Sequence, residues 1–258
     1  MTVGIGVICH EAKCIIMAAD TRGSFADPAL PPHEHIGKQF DLPFGFVATT
    51  AGEKALCQSF ANELYEAMQK LKSEPTIYHD HIRRAIQDTQ LYEFEYRVDQ
   101  EMATKLCTRV ADWQKMDSTS LHYRRCQRLV NRYFLNIHIM VGGFLSDGSP
   151  VLLNTYSKYA PEMEDHCAIG SAMDTATDVL TARGQNSHMG SMRSLLHVYE
   201  ALEAARATDR YVGAPADILF LTPGQIRLFP AKHPLLAQLA QDYSGKDTKT
   251  LDGKGIHG

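Results

Sequence analysis

The second residue of the chain is threonine, and a threonine at an N-terminus can supply both parts of a nucleophile. Its hydroxyl is weak and needs a base. A free α-amino group on the same residue, with an ordinary pKa of about 7.7–8.0, is within reach and is nearly half neutral close to that pH. The arrangement exists only once Met1 has been removed, which is expected before a residue as small as threonine. A cation close to such a residue favours the neutral amine and stabilises an alkoxide, and a carboxylate keeps the cation charged and oriented. Lys38 and Asp20 are residues of these two types. Gly52 opens an apolar helical stretch, and its missing side chain would let a backbone N–H approach a developing oxyanion while the helix adds positive dipole. Taken singly, each has a plain reading: Asp20 as a turn cap, Lys38 as a solvated strand residue, Gly52 as an ordinary helix entry. Their joint spacing with a penultimate threonine favours the chemical one.

The elements that must position these residues are legible from hydrophobic periodicity. Val3–Cys9 and Cys14–Ala19 are apolar runs separated by His10–Lys13, a hairpin-length connection, and they read as strands buried on both faces. Charge appears abruptly at Asp20-Thr21-Arg22, and a Pro-rich loop follows (Pro28, Pro31, Pro32). Lys38–Leu42 and Phe44–Thr49 form a second strand pair. From Gly52 the period becomes helical through Ala55, Phe60, Leu64, Ala67, Met68 and Leu71, ending before Pro75. A longer helical region from His79 to Tyr133 is expected to break near Asp117-Ser118. Asn136–Phe144 and Pro150–Tyr156 pair around Ser146-Asp147-Gly148, helices follow at Ala172–Arg183 and Ser191–Ala207, and Asp217–Thr222 with Ile226–Pro230 form a last hairpin. The order predicts an α+β fold with strands in the middle and helices outside, without βαβ alternation or internal repeat. Its final residues, rich in Ser, Gly, Lys and Asp, read as a mobile end.

At 258 residues the chain is long enough for one large domain or two small ones. A net charge of −4 gives no general attraction to nucleic acid or anionic membrane. The six cysteines are dispersed without CxxC pairs and read as reduced thiols. No signal peptide and no membrane-length apolar run is evident, which predicts a cytoplasmic protein whose N-terminus is the translated one less, at most, its methionine.

Thr2-Val3-Gly4, the apolar hairpin, Ala18-Ala19-Asp20-Thr21-Arg22, Lys38, Thr50-Ala51-Gly52 and Ile169-Gly170-Ser171 together resemble the proteasome β-subunit family and its bacterial ring relatives HslV and Anbu. The resemblance runs from Thr2 to about Phe229, and the segment of roughly 85–125 has no counterpart in it. It implies a single N-terminal nucleophile (Ntn) hydrolase domain over 1–258, a four-layer αββα sandwich with a helical insertion at 85–125 and a partly mobile tail at 232–258. It assigns the catalytic roles to Thr2, Asp20, Lys38, Gly52, Ser171 and Asp209, and substrate contacts to Gly23, Ser24 and Thr50, with no metal and no cofactor. The interval from Lys38 to Gly52 equals the family's. Those from Thr2 to Asp20 and from Asp20 to Lys38 are slightly longer, and the hairpin turn and the Pro-rich loop can absorb the difference. A serine usually follows the family's aspartate three residues on, and Val212 stands there instead.

The resemblance implies a threonine peptidase that cleaves peptides or unfolded protein through an acyl-enzyme on Thr2. It further implies a homo-oligomeric ring, with an ATPase as a candidate partner and neither nucleic acid nor membrane. The alternatives are a non-catalytic structural member of the same fold, kept open by Val212 and the two longer intervals but opposed by the joint retention of Thr2, Asp20, Lys38, Gly52 and Ser171, and an amidohydrolase of a small amide. Other signals are weaker. Cys9-His10 with Cys14 lacks zinc-site spacing, and His79 and His81 flank Asp80 on different helix faces. The basic run Arg124-Arg125-Cys126-Gln127-Arg128 is offset by acidic residues earlier in the region. Leu91, Phe94, Val98, Met102, Leu106, Val110 and Trp113 form an apolar stripe that must be covered, either by the second half of its own segment or by another subunit.

Overall fold

The computed structural model describes residues 3–22, 37–74, 76–155, 165–213, 216–229 and 233–244. It is a mixed α+β structure built on two antiparallel sheets. The first contains β1 (Val3–Cys9), β2 (Cys14–Asp20), β7 (His166–Gly170), β8 (Ala216–Thr222) and β9 (Gln225–Phe229) in the order β7-β1-β2-β8-β9. The second contains β3 (Gln39–Leu42), β4 (Phe46–Gly52), β5 (Ile137–Phe144) and β6 (Pro150–Asn154) in chain order.

The uninterrupted apolar character of β1 and β2 follows from what lies on each side. Val3, Ile5, Val7, Ile16 and Ala18 pack against α5 (Met173–Ala182), α6 (Ser191–Thr208) and α7 (Pro234–Ser244) through Leu180, Leu195, Val198, Leu202, Leu236 and Leu239. The alternate residues Ile8, Ile15 and Met17 join Val47, Ala51, Met140 and Leu152 of the second sheet, so the two sheets face each other across an apolar seam. The outer face of the second sheet is covered by α1 (Lys54–Gln69) and α2 (His79–Leu106), with Phe60, Leu64, Met68, Ile82 and Ile86 wholly buried. Each side chain of this kind stabilises the fold by about 1.5–3 kcal/mol over its exposed state. At Gly4 a Cβ would lie 2.8 Å from both Ile169 Cγ1 and Thr49 Cγ2, so the start of β1 can approach the second sheet only because that side chain is missing.

The long helical region breaks earlier than its sequence predicts. α2 ends where Cys107 adopts φ 49°, and the short α3 (Val110–Trp113) and then α4 (Leu121–Arg132) follow. The apolar stripe is covered by its own second half: Val98 and Met102 pack with Cys126, flanked by Phe94, Leu106, Val110, Trp113, Leu129 and Tyr133. Leu91, at the head of the stripe, is exposed. Two elements lie outside the predicted pattern, β7 and α7. The latter converts the front of the supposed tail into a docked helix; residues 245–258 lie outside the described part. All six cysteines are free thiols, only Cys107 being exposed. Among the described residues no helix is long and apolar enough to cross a membrane.

Candidate active site

Four strand ends of the first sheet meet at one end of the molecule. Val3 at the start of β1 pairs with Gly170 at the end of β7, while Asp20 at the end of β2 pairs with Ala216 at the start of β8. Asp20 is wholly inaccessible to solvent. Its Oδ1 accepts the backbone N–H of Val3 at 2.9 Å and the Lys38 ammonium at 2.8 Å, and its Oδ2 accepts the backbone N–H of Gly213 at 3.1 Å. A carboxylate so placed would be costly without partners; three donors, one of them cationic, account for its burial.

Lys38 reaches Asp20 from the other sheet. Its carbonyl accepts the Thr50 N–H at 2.9 Å and the Thr50 hydroxyl at 3.4 Å, which extends the β3–β4 ladder by one step. Its main chain therefore belongs to the second sheet and its charge to the first. The ion pair closes the seam at this end, with Lys38 only 9% exposed.

Gly52 ends β4 opposite Ile137. It adopts φ 142°, and a Cβ there would lie 2.4 Å from the Asn136 carbonyl oxygen, so both conformation and space demand glycine. α1 begins immediately after, with Glu53 in the capping position and no side-chain cap bond. Thr50 is buried two residues before, and Cys57 on the first turns of α1 lies close enough to feel it. Burial pushes the Cys57 thiol up, while the Thr50 hydroxyl and the Lys38 charge act in the opposite direction.

On the opposite side, Ser171 donates its hydroxyl to Asp209 Oδ2 just beyond α6. Asp209 Oδ1 also accepts the Tyr211 N–H at 2.9 Å, and its carbonyl accepts the Val212 N–H at 3.0 Å. The Val212 side chain is turned into the core beside α5 and α6. The Val212 side chain thus serves packing, and the Asp209 carboxylate is satisfied by Ser171 and Tyr211. One residue later Gly213 reaches Asp20, so the turn 209–213 touches both halves of the constellation.

Of the residues expected from sequence, Asp20 and Lys38 are in direct contact, Ser171 and Asp209 are in direct contact, and Thr50 binds the Lys38 backbone. Gly52 stands two residues beyond Thr50 on the same strand. Thr2, Gly23 and Ser24 lie outside the described residues. Thr2 precedes Val3, whose N–H is bound by Asp20. Sequence reasoning missed His138 on β5, whose Nδ1 accepts the Gly170 N–H at 3.2 Å. It missed Gly213 as well.

Among the described residues no group of three or more His, Cys, Asp or Glu side chains converges as metal ligands would. A cavity of about 610 Å³, lined by Phe44, Phe46, Ile77, Phe144, Thr222 and Ile226, opens at the opposite strand ends, where β4 begins and β5 and β8 finish. It is separate from the Asp20–Lys38 pair. No protein-family model matches this chain, and no curated protein matches it.

Proposed function

We propose that the chain is a threonine peptidase of the proteasome β-subunit kind, an Ntn hydrolase with a four-layer αββα sandwich, in which Thr2 becomes the nucleophile after Met1 is removed. The observation that carries this reading is the Asp20 carboxylate, bound at once to the N–H of the residue after Thr2 and to the Lys38 ammonium. That contact sets a buried cation close to the start of β1, which supports a terminal nucleophile at the preceding residue.

In this mechanism the neutral α-amine of Thr2 takes the hydroxyl proton as Oγ attacks the scissile carbonyl carbon. The resulting oxyanion accepts a hydrogen bond from the Gly52 N–H. The protonated amine then delivers its proton to the leaving amine as the C–N bond breaks, leaving an ester on Thr2. Water hydrolyses the ester and restores the hydroxyl. Lys38 favours the neutral amine and offsets developing charge on Oγ, while Asp20 fixes Lys38. Ser171 and Asp209 orient the amino terminus, and Thr50, Gly23 and Ser24 line the path of the substrate. Peptide or unfolded-protein substrates, a ring of identical subunits and an ATPase that feeds it belong to the same proposal and rest on the sequence resemblance.

Intact-mass measurement of the purified protein, paired with a fluorogenic peptide panel, tests it. The expected result is a chain lacking Met1 that hydrolyses peptides, with turnover abolished by Thr2→Ala. Hydrolysis at the wild-type rate by protein that keeps Met1 on every chain would rule the mechanism out.

A further inference from the structure

The two sheets are joined near the site by a second side chain, which the mechanism above does not use. His138 is the second residue of β5 and stands opposite Ala51, the neighbour of Gly52 on β4. Its ring crosses to the first sheet, where Nδ1 accepts the Gly170 N–H at 3.2 Å. Gly170 has φ 97°, a conformation that favours glycine; it faces Val3 across the β1–β7 ladder and immediately precedes Ser171, the partner of Asp209. The same backbone position is therefore fixed from one side by β5 and leads on the other to the start of β1.

A ring nitrogen that accepts an N–H carries no proton, so the contact selects the tautomer with hydrogen on Nε2. Burial lowers the proton affinity of His138, which keeps the ring in that accepting form. An apolar residue of similar size could fill the space but would leave the Gly170 N–H without this acceptor, and the end of β7 would then be held towards β5 only by the packing of Cys167 and Ile169 with Met140, which is less directional than a hydrogen bond.

We propose that His138 is a positioning residue of the threonine site: by accepting the Gly170 N–H it fixes the end of β7 against the start of β1, and so holds Ser171 and Asp209 in register with the amino terminus. The inference rests on the threonine mechanism proposed above. His138 acts through the backbone, and its effect falls on the chemical step because displacements of about 1 Å around a reacting group cost about 100-fold in rate.

The test uses full-length protein lacking Met1 and compares His138→Leu with His138→Asn, whose side-chain oxygen can replace Nδ1 as acceptor. Steady-state hydrolysis of a fluorogenic peptide should show kcat reduced about 10- to 100-fold in the leucine variant with KM little changed, and most of that loss recovered in the asparagine variant. Nitrogen-detected imidazole spectra of the wild type should place the His138 proton on Nε2. Wild-type kcat in the leucine variant overturns the proposal, as does equal impairment of both folded variants or a proton on Nδ1. If the leucine variant does not fold, the asparagine variant decides together with the tautomer: near-wild-type kcat and an unprotonated Nδ1 support the role, and anything else overturns it. Failure of the underlying mechanism is separately visible, because hydrolysis would then survive Thr2→Ala.

Discussion

Ser171 and Asp209, 38 residues apart in the chain, are joined side chain to side chain at the end of β7. The hydroxyl is exposed, and Asp209 keeps the Tyr211 N–H when the hydroxyl is removed. Ser171→Ala should therefore change stability by no more than about 1 kcal/mol. If the pair orients the N-terminal amine, hydrolysis should fall about 10- to 100-fold. Urea denaturation and peptide turnover on the same preparation separate the two effects, and an unchanged rate would reduce the pair to a turn-closing contact.

Substitution of Lys38 is expected to change both quantities by more. Lys38→Ala leaves the Asp20 charge buried with two backbone donors and no cation, a change that costs about 3 kcal/mol in comparable buried pairs. If, as proposed, the same cation favours the neutral amine and the alkoxide, turnover should fall by several orders of magnitude. Lys38→Arg keeps the charge but brings a planar fork where a point charge is held at 2.8 Å, and it should not restore the rate. Rates within a few-fold of wild type in both variants would make Lys38 an ordinary strand lysine.

Gly52→Ala places a methyl group against the Asn136 carbonyl in a backbone conformation foreign to alanine. The backbone contribution alone is about 1–3 kcal/mol, and relief of the collision must move the β4–β5 edge. In the proposed mechanism the Gly52 N–H is the oxyanion donor; alanine keeps this N–H but displaces it, and because a donor that misses the oxyanion forfeits up to about 100- to 1,000-fold in rate, folded Gly52→Ala protein should lose activity up to that extent. A chemical melt and a kcat measurement would decide; a stable, active alanine variant would remove Gly52 from the site.

Acid should weaken the fold through buried and half-buried histidines. Burial, aided by the charges of Arg193 and Arg183, pushes His197 down to about 4, and burial also lowers His138 and His166. A histidine with a depressed folded pKa takes up its proton more readily in the unfolded chain. Its contribution is thus intact above the ordinary value near 6.5 and lost as pH falls from there towards about 4. Urea midpoints measured across that window should decline on acidification, and His197→Gln should shallow the slope. A midpoint independent of pH over this range would show that these rings protonate without opening the core.

The parts of the site that could be read from sequence are those where residue type and local pattern coincide. Asp20 ends an apolar strand, and Gly52 marks the change from strand to helical period. β7 was not legible because His166–Gly170 offers only three consecutive apolar residues, and its strand character comes from pairing with β1. α7 does carry a sequence signal, Pro234 at its first position followed by Leu235, Leu236 and Leu239. The break after α2 depends on the left-handed turn at Cys107, a residue whose type does not announce it. His138 reads as a lone histidine in a buried strand, and only the facing of the two sheets brings it to Gly170. Val212 marks the opposite limit: the sequence identified a missing serine, but that Asp209 is satisfied by Ser171 and Tyr211 is visible only in three dimensions.

The reach of the Asp20 carboxylate also sets when the site can exist. Its third donor, Gly213, lies 193 residues further along the chain. A nascent chain that has emerged only as far as α5 can form the Asp20–Lys38 pair, yet it lacks the Gly213 donor and the Asp209 carboxylate. The constellation closes only after most of the chain has left the ribosome, so the start of β1, among the earliest residues synthesised, lacks its full set of neighbours until synthesis has passed Gly213.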